Sequence, residues 1–321
     1  RRAKTMVVED DELERAIKDR KQESWINSIS FGGENNLGAS WVLDYRLMYN
    51  KSSEETINQL TSAFVQEDII YETNVGGGVI DPDNIQAIPL NESAAELEFD
   101  EIEDQTKTAD EEDWVGAINF TKGFYKNTGF SGLWKFGAKA RSKTKEQNYD
   151  VYDLESEDDF SMADVLSDWD SETPFFNGNY GDQIIPFFDY QEMRDLVNSG
   201  AFESERNLEE DLADFDITED TLAAYALGEF ILGANTSLMG GVRVESTKTD
   251  YTAYELILDE EGDPVSLEPV TGDKSYTEWL PQVHFVYKTG GDSQLRAAVT
   301  RSLARPNFED MAPWRLLNLE D

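Results

Sequence analysis

Residues 218–254 read TEDTLAAYALGEFILGANTSLMGGVRVESTKTDYTAY, and the alternation inside this stretch decides the fold. After GANTS (233–237), Leu238, Val242 and Val244 oppose Arg243, Glu245 and Thr247. A period of two, with one apolar and one charged face, is the signature of a strand. GANTS itself is built from residues that close tight turns. The stretch therefore reads as a hairpin.

The same pattern recurs outward in both directions. In WLPQVHFVYK, Trp279, Val283, Phe285 and Tyr287 oppose Glu278, Gln282, His284 and Lys288. In GLWKFGAKARSK, Trp134, Phe136, Ala138 and Ala140 oppose Lys135, Lys139, Arg141 and Lys143. In ASWVLDYRLMYN, Trp41, Leu43, Tyr45, Leu47 and Tyr49 share one face, with Asp44 and Arg46 opposite. The alternation predicts roughly eight strands, at about 22–33, 38–52, 112–125, 131–150, 219–232, 237–256, 275–289 and 293–306. Short turns (ENNLG, KNTGFSG, GANTS, TGGDS) alternate with long acidic connections, at about 53–111, 151–218 and 257–274. Within one of these, QEMRDLVNSGAFESERNLEEDLADF (191–215) has the spacing of a helix.

Charged rows of this density fit a wet lumen better than a dry core, where each unpaired charge is costly. Short turns at one end, long loops at the other, an aromatic-rich apolar face and a polar face are the features of a transmembrane barrel. The expected fold class is all-β: part of a large antiparallel transmembrane β-barrel with short periplasmic turns and long acidic extracellular loops. A soluble β-rich carbohydrate-binding module, with the apolar face buried, is the alternative left by the pattern alone.

The chain has 321 residues and a formal net charge of −40, which sets it against nucleic acid as a partner because phosphates are repelled. Without cysteine there is no disulfide and no thiolate chemistry, and with a single histidine, His284, no multi-histidine metal site. The sequence opens RRAKTMVVEDDELERA, without an initiating Met, and reads as part of a longer protein.

The hairpin at 218–254 and the next one, YTEWLPQVHFVYKTGGDSQLRAAVTRSLARPNFEDMAP (276–313), resemble paired barrel strands of TonB-dependent outer-membrane receptors. The order AAY, GGVRVE, LP, LRAA, ARPNF at hairpin spacings carries the resemblance, and LGASWVLDYRLMYNKSSEE and LWKFGAKARSKTKE resemble earlier hairpins. The resemblance implies a plugged barrel of many strands that imports a scarce nutrient of the siderophore, haem, cobalamin or oligosaccharide class. It implies TonB as the energy-transducing partner, acting through a plug region. Neither plug nor TonB box is found in these residues, so the resemblance covers the barrel portion. Outer-membrane lipid and lipopolysaccharide, the cargo, and a surface lipoprotein are the other partners it implies. A non-transporting barrel, an adhesin or scaffold, is the alternative function.

No nucleophile elbow, phosphate-binding glycine loop or zinc motif is present, so no enzymatic role and no cofactor is expected. Loosely held divalent cations at the acidic loops are the one ion class the composition suggests. The ligand-contact candidates are aromatics of the segment 169–190: Trp169, Phe175, Phe176, Tyr180, Phe187, Phe188 and Tyr190. Such rings stack on sugars or catechols, and they equally pack a loop against its neighbours. His284 falls in a polar row and reads as a solvated wall residue. Strict alternation in LRAAVTRSLARPNF (295–308) sets Leu295, Ala297, Val299 and Arg301 on the lipid side; Arg301 is expected near the outer rim, where it either snorkels to lipid headgroups or is turned inward by a bulge, with Pro306 ending the ladder where the chain leaves the membrane.

Overall fold

The computed structural model describes residues 6–73, 87–126, 129–156, 159–167, 187–290, 292–312 and 315–318. Among the described residues, eleven strands form one sheet: β1 (Met6–Leu37), β2 (Trp41–Thr73), β3 (Ala87–Pro89), β4 (Glu98–Lys126), β5 (Phe130–Ser156), β6 (Phe202–Arg206), β7 (Phe215–Leu232), β8 (Thr236–Leu258), β9 (Pro264–Gly290), β10 (Ser293–Thr300) and β11 (Arg315–Asn318). The long strands pair in chain order, β1-β2-β4-β5-β7-β8-β9-β10, while β3, β6 and β11 are short additions to β2, β5 and β8. The ladders that join β5, β7, β8, β9 and β10 are antiparallel, and β11 lies parallel to β8. One α-helix, α1 (Tyr190–Ser199), stands among the described residues. No helix among them is long and apolar enough to cross a membrane, which says nothing about strands.

The turns sit where the sequence placed them. Gly233 and Gly290 take the left-handed conformation (φ 68° and 106°) that closes the β7–β8 and β9–β10 connections. The strands, however, are longer than alternation indicates. β2 continues to Thr73, β4 begins at Glu98 and β9 begins at Pro264, so much of the stretches expected as loop at 53–111 and 257–274 is paired strand. The segment 151–218 likewise holds the end of β5, all of β6 and the start of β7 around α1. Ladder pairing uses only backbone groups, so a strand with charge on both faces keeps its hydrogen bonds and loses only its sequence signature. β10 is shorter than expected and ends at Thr300 instead of residue 306.

The described residues divide into two compact units. Unit 1 comprises residues 1–22, 56–106 and 150–207. It has a dry core of Leu60, Phe64, Leu97, Ile102, Leu154, Met162, Val165, Phe188 and Met193, with Phe99, Phe160, Leu196 and Phe202 packed against it. Helix α1 contributes Met193 and Leu196 to this core. Asp189 caps its start by accepting from the Gln191 N–H (2.7 Å), and Gly200 ends it in the left-handed conformation.

Unit 2 comprises residues 23–55, 107–149 and 208–321. Its sheet has two unlike faces. On the apolar face stand Leu47, Trp114, Trp134, Phe136, Leu222, Trp279, Val283, Tyr287 and Val299, all exposed. Tyr49 lies 4.4 Å from Trp114, ring to ring, and Trp41 meets Phe136 edge-on at 5.9 Å. Trp279 and Tyr287 are eight residues apart on β9, about 26 Å at the usual strand rise, which matches the height of a lipid-facing band between two aromatic girdles.

Candidate functional site

The opposite face of unit 2 carries the chemistry. Register places Arg141 beside Thr221, Lys143 beside Glu219, Ala223 beside Glu245 and Glu245 beside Glu278, so these residues form one polar surface across β5, β7, β8 and β9. Many of the charges on it are paired. Arg141 grips Asp113 of β4 with two parallel hydrogen bonds, Nε to Oδ1 at 2.7 Å and Nη2 to Oδ2 at 3.0 Å, the fork geometry that suits guanidinium and carboxylate. Lys143 pairs with Glu111 at 2.8 Å, and Lys51 with Glu112 at 2.7 Å. Nearby, Tyr225 donates to Asn119 Oδ1 (2.7 Å), and Asn119 donates in turn to Asp44 (2.6 Å).

The densest cluster gathers around Arg305. Its guanidinium bonds Glu245 and Thr247 Oγ1 of β8, and its Nε lies 3.3 Å from Glu219 Oε2 of β7, an ion pair without hydrogen-bond alignment. Arg243 also bonds Glu245, Nε to Oε2 at 2.9 Å. Glu219 and Glu245 are almost fully buried, their side chains 4% and 8% exposed. Two buried carboxylates on one face are tolerable only with cations beside them; Arg305 bridges the two, and Arg243 adds a second cation to Glu245.

Arg305 reaches this position because the chain after β10 turns across the charged face. Lys143 stacks on the Phe308 ring at 4.8 Å, and Lys145 pairs with Glu309 at 3.6 Å. Arg301 departs from the expectation of strict alternation. The strand stops at Thr300, the Arg301 N–H still bonds Pro281 O (3.0 Å), and its guanidinium pairs with Glu278 on the charged face. The strand's end frees the side chain from the two-residue period, and a carboxylate partner draws it across. Sequence reasoning read the two arginines only as a membrane exit. The alternation that sets Glu219, Glu245 and Glu278 on one face held the missing signal, three acids, Glu245 and Glu278 directly opposite each other, that need cations.

His284 is half-buried on β9, opposite Met239 on β8 and Ala298 on β10. Of the aromatic candidates, Trp169, Phe175, Phe176 and Tyr180 lie outside the described residues. Phe188 is 2% exposed and packs on Phe64 at 4.9 Å, in the core of unit 1. Phe187 lies under the Arg15 guanidinium, 5.2 Å from the ring centre. Tyr190 is exposed at the start of α1. The structure thus separates these three: one core ring, one ring paired with a cation, one free to solvent.

The acidic turn DEEGDP folds as a tight connection between β8 and β9. Asp259, Glu261 and Asp263 bring carboxylate oxygens within 4.8 Å of one another. Asp259 Oδ1 accepts the N–H groups of Glu261 (2.9 Å) and Asp263 (3.0 Å), and these bonds hold its carboxyl below the usual range. The turn thereby accounts for the Asp259 carboxylate without an ion.

Residues 188–318 match the model of the outer membrane protein beta-barrel family. No curated protein sequence matches the chain. Among solved structures, the chain is similar to the ferric-catecholate import receptor Fiu of E. coli K12 in its closed form. The identity there is 13% and the TM-score 0.40, over 81% of this chain and 32% of the receptor. It is also similar to the siderophore receptor PiuA of Acinetobacter baumannii, at 9% identity and TM-score 0.36, over 92% of this chain and 48% of that one. The chain spans about a third to a half of the length of these receptors. The antiparallel ladders, the opposed apolar and charged faces and the family match together make this the strand wall of an outer-membrane β-barrel, and its location is the outer membrane.

Proposed function

We propose that this chain supplies wall and outer surface to a TonB-dependent receptor that imports a scarce nutrient of the siderophore, haem, cobalamin or oligosaccharide class. The observation that carries the reading is the ion-paired polar surface formed by Asp113, Arg141, Glu219, Glu245 and Arg305, opposite a face of exposed aromatics. Such a surface suits a hydrated passage: these five charges are held by partners, so none of them is free to trap a moving solute. The resemblance of 218–254 and 276–313 to receptor hairpins supports the same reading. Its role is binding and passage, without bond chemistry and without a resident cofactor. TonB would act through a plug region, with lipopolysaccharide around the wall and a surface lipoprotein as a further partner.

The test is uptake. In the source bacterium, deletion of the gene abolishes growth on one scarce nutrient, and depletion of TonB reproduces that phenotype. Uptake unaffected by deletion overturns the reading in favour of an adhesin or scaffold. Uptake lost on deletion but unchanged by TonB depletion overturns the energised mechanism.

A further inference from the structure

We propose that the charged face of unit 2 carries a binding site for a small polyanion, a solute bearing several carboxylate or phosphate groups, at Lys135, Lys139 and Arg46. Register sets Lys135 opposite Leu227 and Lys139 opposite Ala223 of β7, and β2 carries Arg46 two residues from Asp44 on the same face. Asp44 fixes the level of Arg46. It accepts from Asn119 of β4, which in turn accepts from Tyr225, and Tyr225 lies opposite Gly137, midway between the two lysines. The lysine positions are about 13 Å apart along β5, and Arg46 stands two strands away, about 10 Å across the sheet.

These cations are the anomaly of the molecule. Acids outnumber bases 67 to 27, so a base should seldom lack a partner. On the same face Lys51, Arg141, Lys143, Arg243, Arg301 and Arg305 each hold a carboxylate. Among the described residues, Lys135, Lys139 and Arg46 make no ion pair, and neither lysine lies over an aromatic ring. Register shows why. Leu227, Ala223 and the Tyr225 ring are what face them across the ladder, and none carries a counter-charge. Of the acids on this face, Asp44 is bonded to Asn119, and Glu229 stands opposite Leu133, a step nearer the short turn.

The surface between the lysines is also built. A Cβ on Gly137 would collide with Asn119 Oδ1 and fall 3.0 Å from Tyr225 Cε1, so the amide and the ring fill the space that a side chain would take. The Tyr225 hydroxyl donates to Asn119 (2.7 Å) and Asn119 to Asp44 (2.6 Å), which ties the ring down across three strands. Cations around a fixed ring suit an anion: ammonium and guanidinium groups give charge-assisted hydrogen bonds to its oxygens, and the ring takes its apolar body. Farther along the strands the carboxylates are matched by Arg141, Lys143, Arg243, Arg301 and Arg305, so the wall there raises no net charge against an anion. The use of this patch as a station for cargo rests on the import reading; the binding itself does not.

The experiment is calorimetric titration of the whole protein in detergent with two probes of one shape, benzene-1,3,5-tricarboxylate and benzene-1,3,5-trimethanol. The tricarboxylate is expected to bind at least about tenfold more tightly than the triol. A net charge of −40 repels anions elsewhere, so such binding reports a local patch. The preference should fall as salt rises from about 0.01 M to about 1 M, where the screening length shrinks from about 30 Å to about 3 Å. The double substitution Lys135→Gln, Lys139→Gln should remove most of the preference and leave the triol unchanged, and Arg46→Gln should remove part of it. Lys122→Gln, which alters the cation over the Trp41 ring, should change nothing. Hydrogen exchange in β5 and β7 shows that each variant keeps its fold. Equal binding of the two probes, no binding of either, or a preference untouched by the double substitution overturns the site. TonB-independent uptake alongside intact tricarboxylate binding overturns the import reading and leaves the site standing.

Discussion

The two units build their interiors from opposite materials. In unit 1 the buried residues are mainly apolar: Phe64, Leu97, Ile102, Met162, Phe188 and Met193 belong to one packed cluster. In unit 2 the buried positions are largely polar, among them Asp113, Gln147, Glu219, Thr221, Glu245, Thr247 and Thr249, while many of its large apolar side chains are exposed, Phe215, Ile217 and Leu256 being buried exceptions. Yet β1, β2, β4 and β5 contribute residues to both units. The same strand can therefore serve two solvents along its length. Where lipid bathes one face, the other is free to be charged. Where water bathes the outside, the inside must be dry. Burial as such does not tell a core from a wall; the polarity of what is buried does.

The largest effect expected from this contrast follows Phe64→Ala. Phe64 is fully buried among Phe99, Phe160 and Phe188, and its loss should cost about 3–5 kcal/mol. Hydrogen exchange should speed up in residues 56–106 and 150–207 while β7 and β8 keep their protection; equal loss in β7 and β8 would merge the two units into one. Next comes an arginine scan of Leu222, Ala224 and Ala226, which lie on the apolar face. Each should cost about 2–4 kcal/mol near the bilayer midplane and about 0–1 near its edges, whereas Gln282→Arg on the charged face should be tolerated. Folding into lipid vesicles reads out the difference, and a flat profile breaks the assignment of faces.

A smaller loss is expected for Arg305→Ala. It strips Glu219 of its cation and leaves Glu245 with Arg243 alone, and because Arg305 is itself 28% exposed the cost is set at about 1–3 kcal/mol. The urea midpoint in detergent measures it, and Arg305→Lys should recover part. The smallest effects concern pH and run in opposite directions. Burial raises the Asp104 carboxyl, partly offset by Arg194, so the folded form holds its proton more tightly than the unfolded chain. Asp104 therefore contributes stability to unit 1 on the acid side, and that contribution fades as pH rises through the raised value. The lowered Asp259 carboxyl stabilises its turn above the ordinary value of 3.8, and this is lost as pH falls through the folded one. Amide exchange from about pH 3 to 6 separates the two.

The hairpins of unit 2 were legible because lipid and charge impose a strict two-residue code, as in Leu238 to Thr247. Of the helical spacing read over 191–215, only the first part is helix, α1 ending at Ser199; Gly200 stops it and Phe202–Arg206 is strand β6. The rest of unit 1 was not legible, for particular reasons. Its core rings Phe64, Phe160 and Phe188 come from segments far apart in sequence, none periodic. Asn58 and Asp68 of β2 take positive φ (49° and 54°), which breaks the alternation so that Gln59 and Leu60 are both buried. From Glu98 to Asp110 the strand β4 is acidic on both sides and carries no face to read. The aromatic segment 169–190 was a fair guess at composition, but Phe188 shows that a ring in an acidic loop serves a core as readily as a ligand. The patch at Arg46, Lys135 and Lys139 was half visible: alternation puts all three on the charged face, but only the folded ladder shows that no carboxylate meets them.

The charged surface has a consequence for how the sheet is put together. Each long strand pairs with its neighbour along the chain, so the ladder can grow one hairpin at a time, with the last strand as template for the next. The hazard of such growth is a slip by one residue, which turns every side chain to the other side. For β8 a slip moves Arg243 and Glu245 into hydrocarbon and brings Val242 and Val244 in among carboxylates. Arg243 and Glu245 thus act as a proofreading mark, written along the strand, against which a misaligned insertion is rejected.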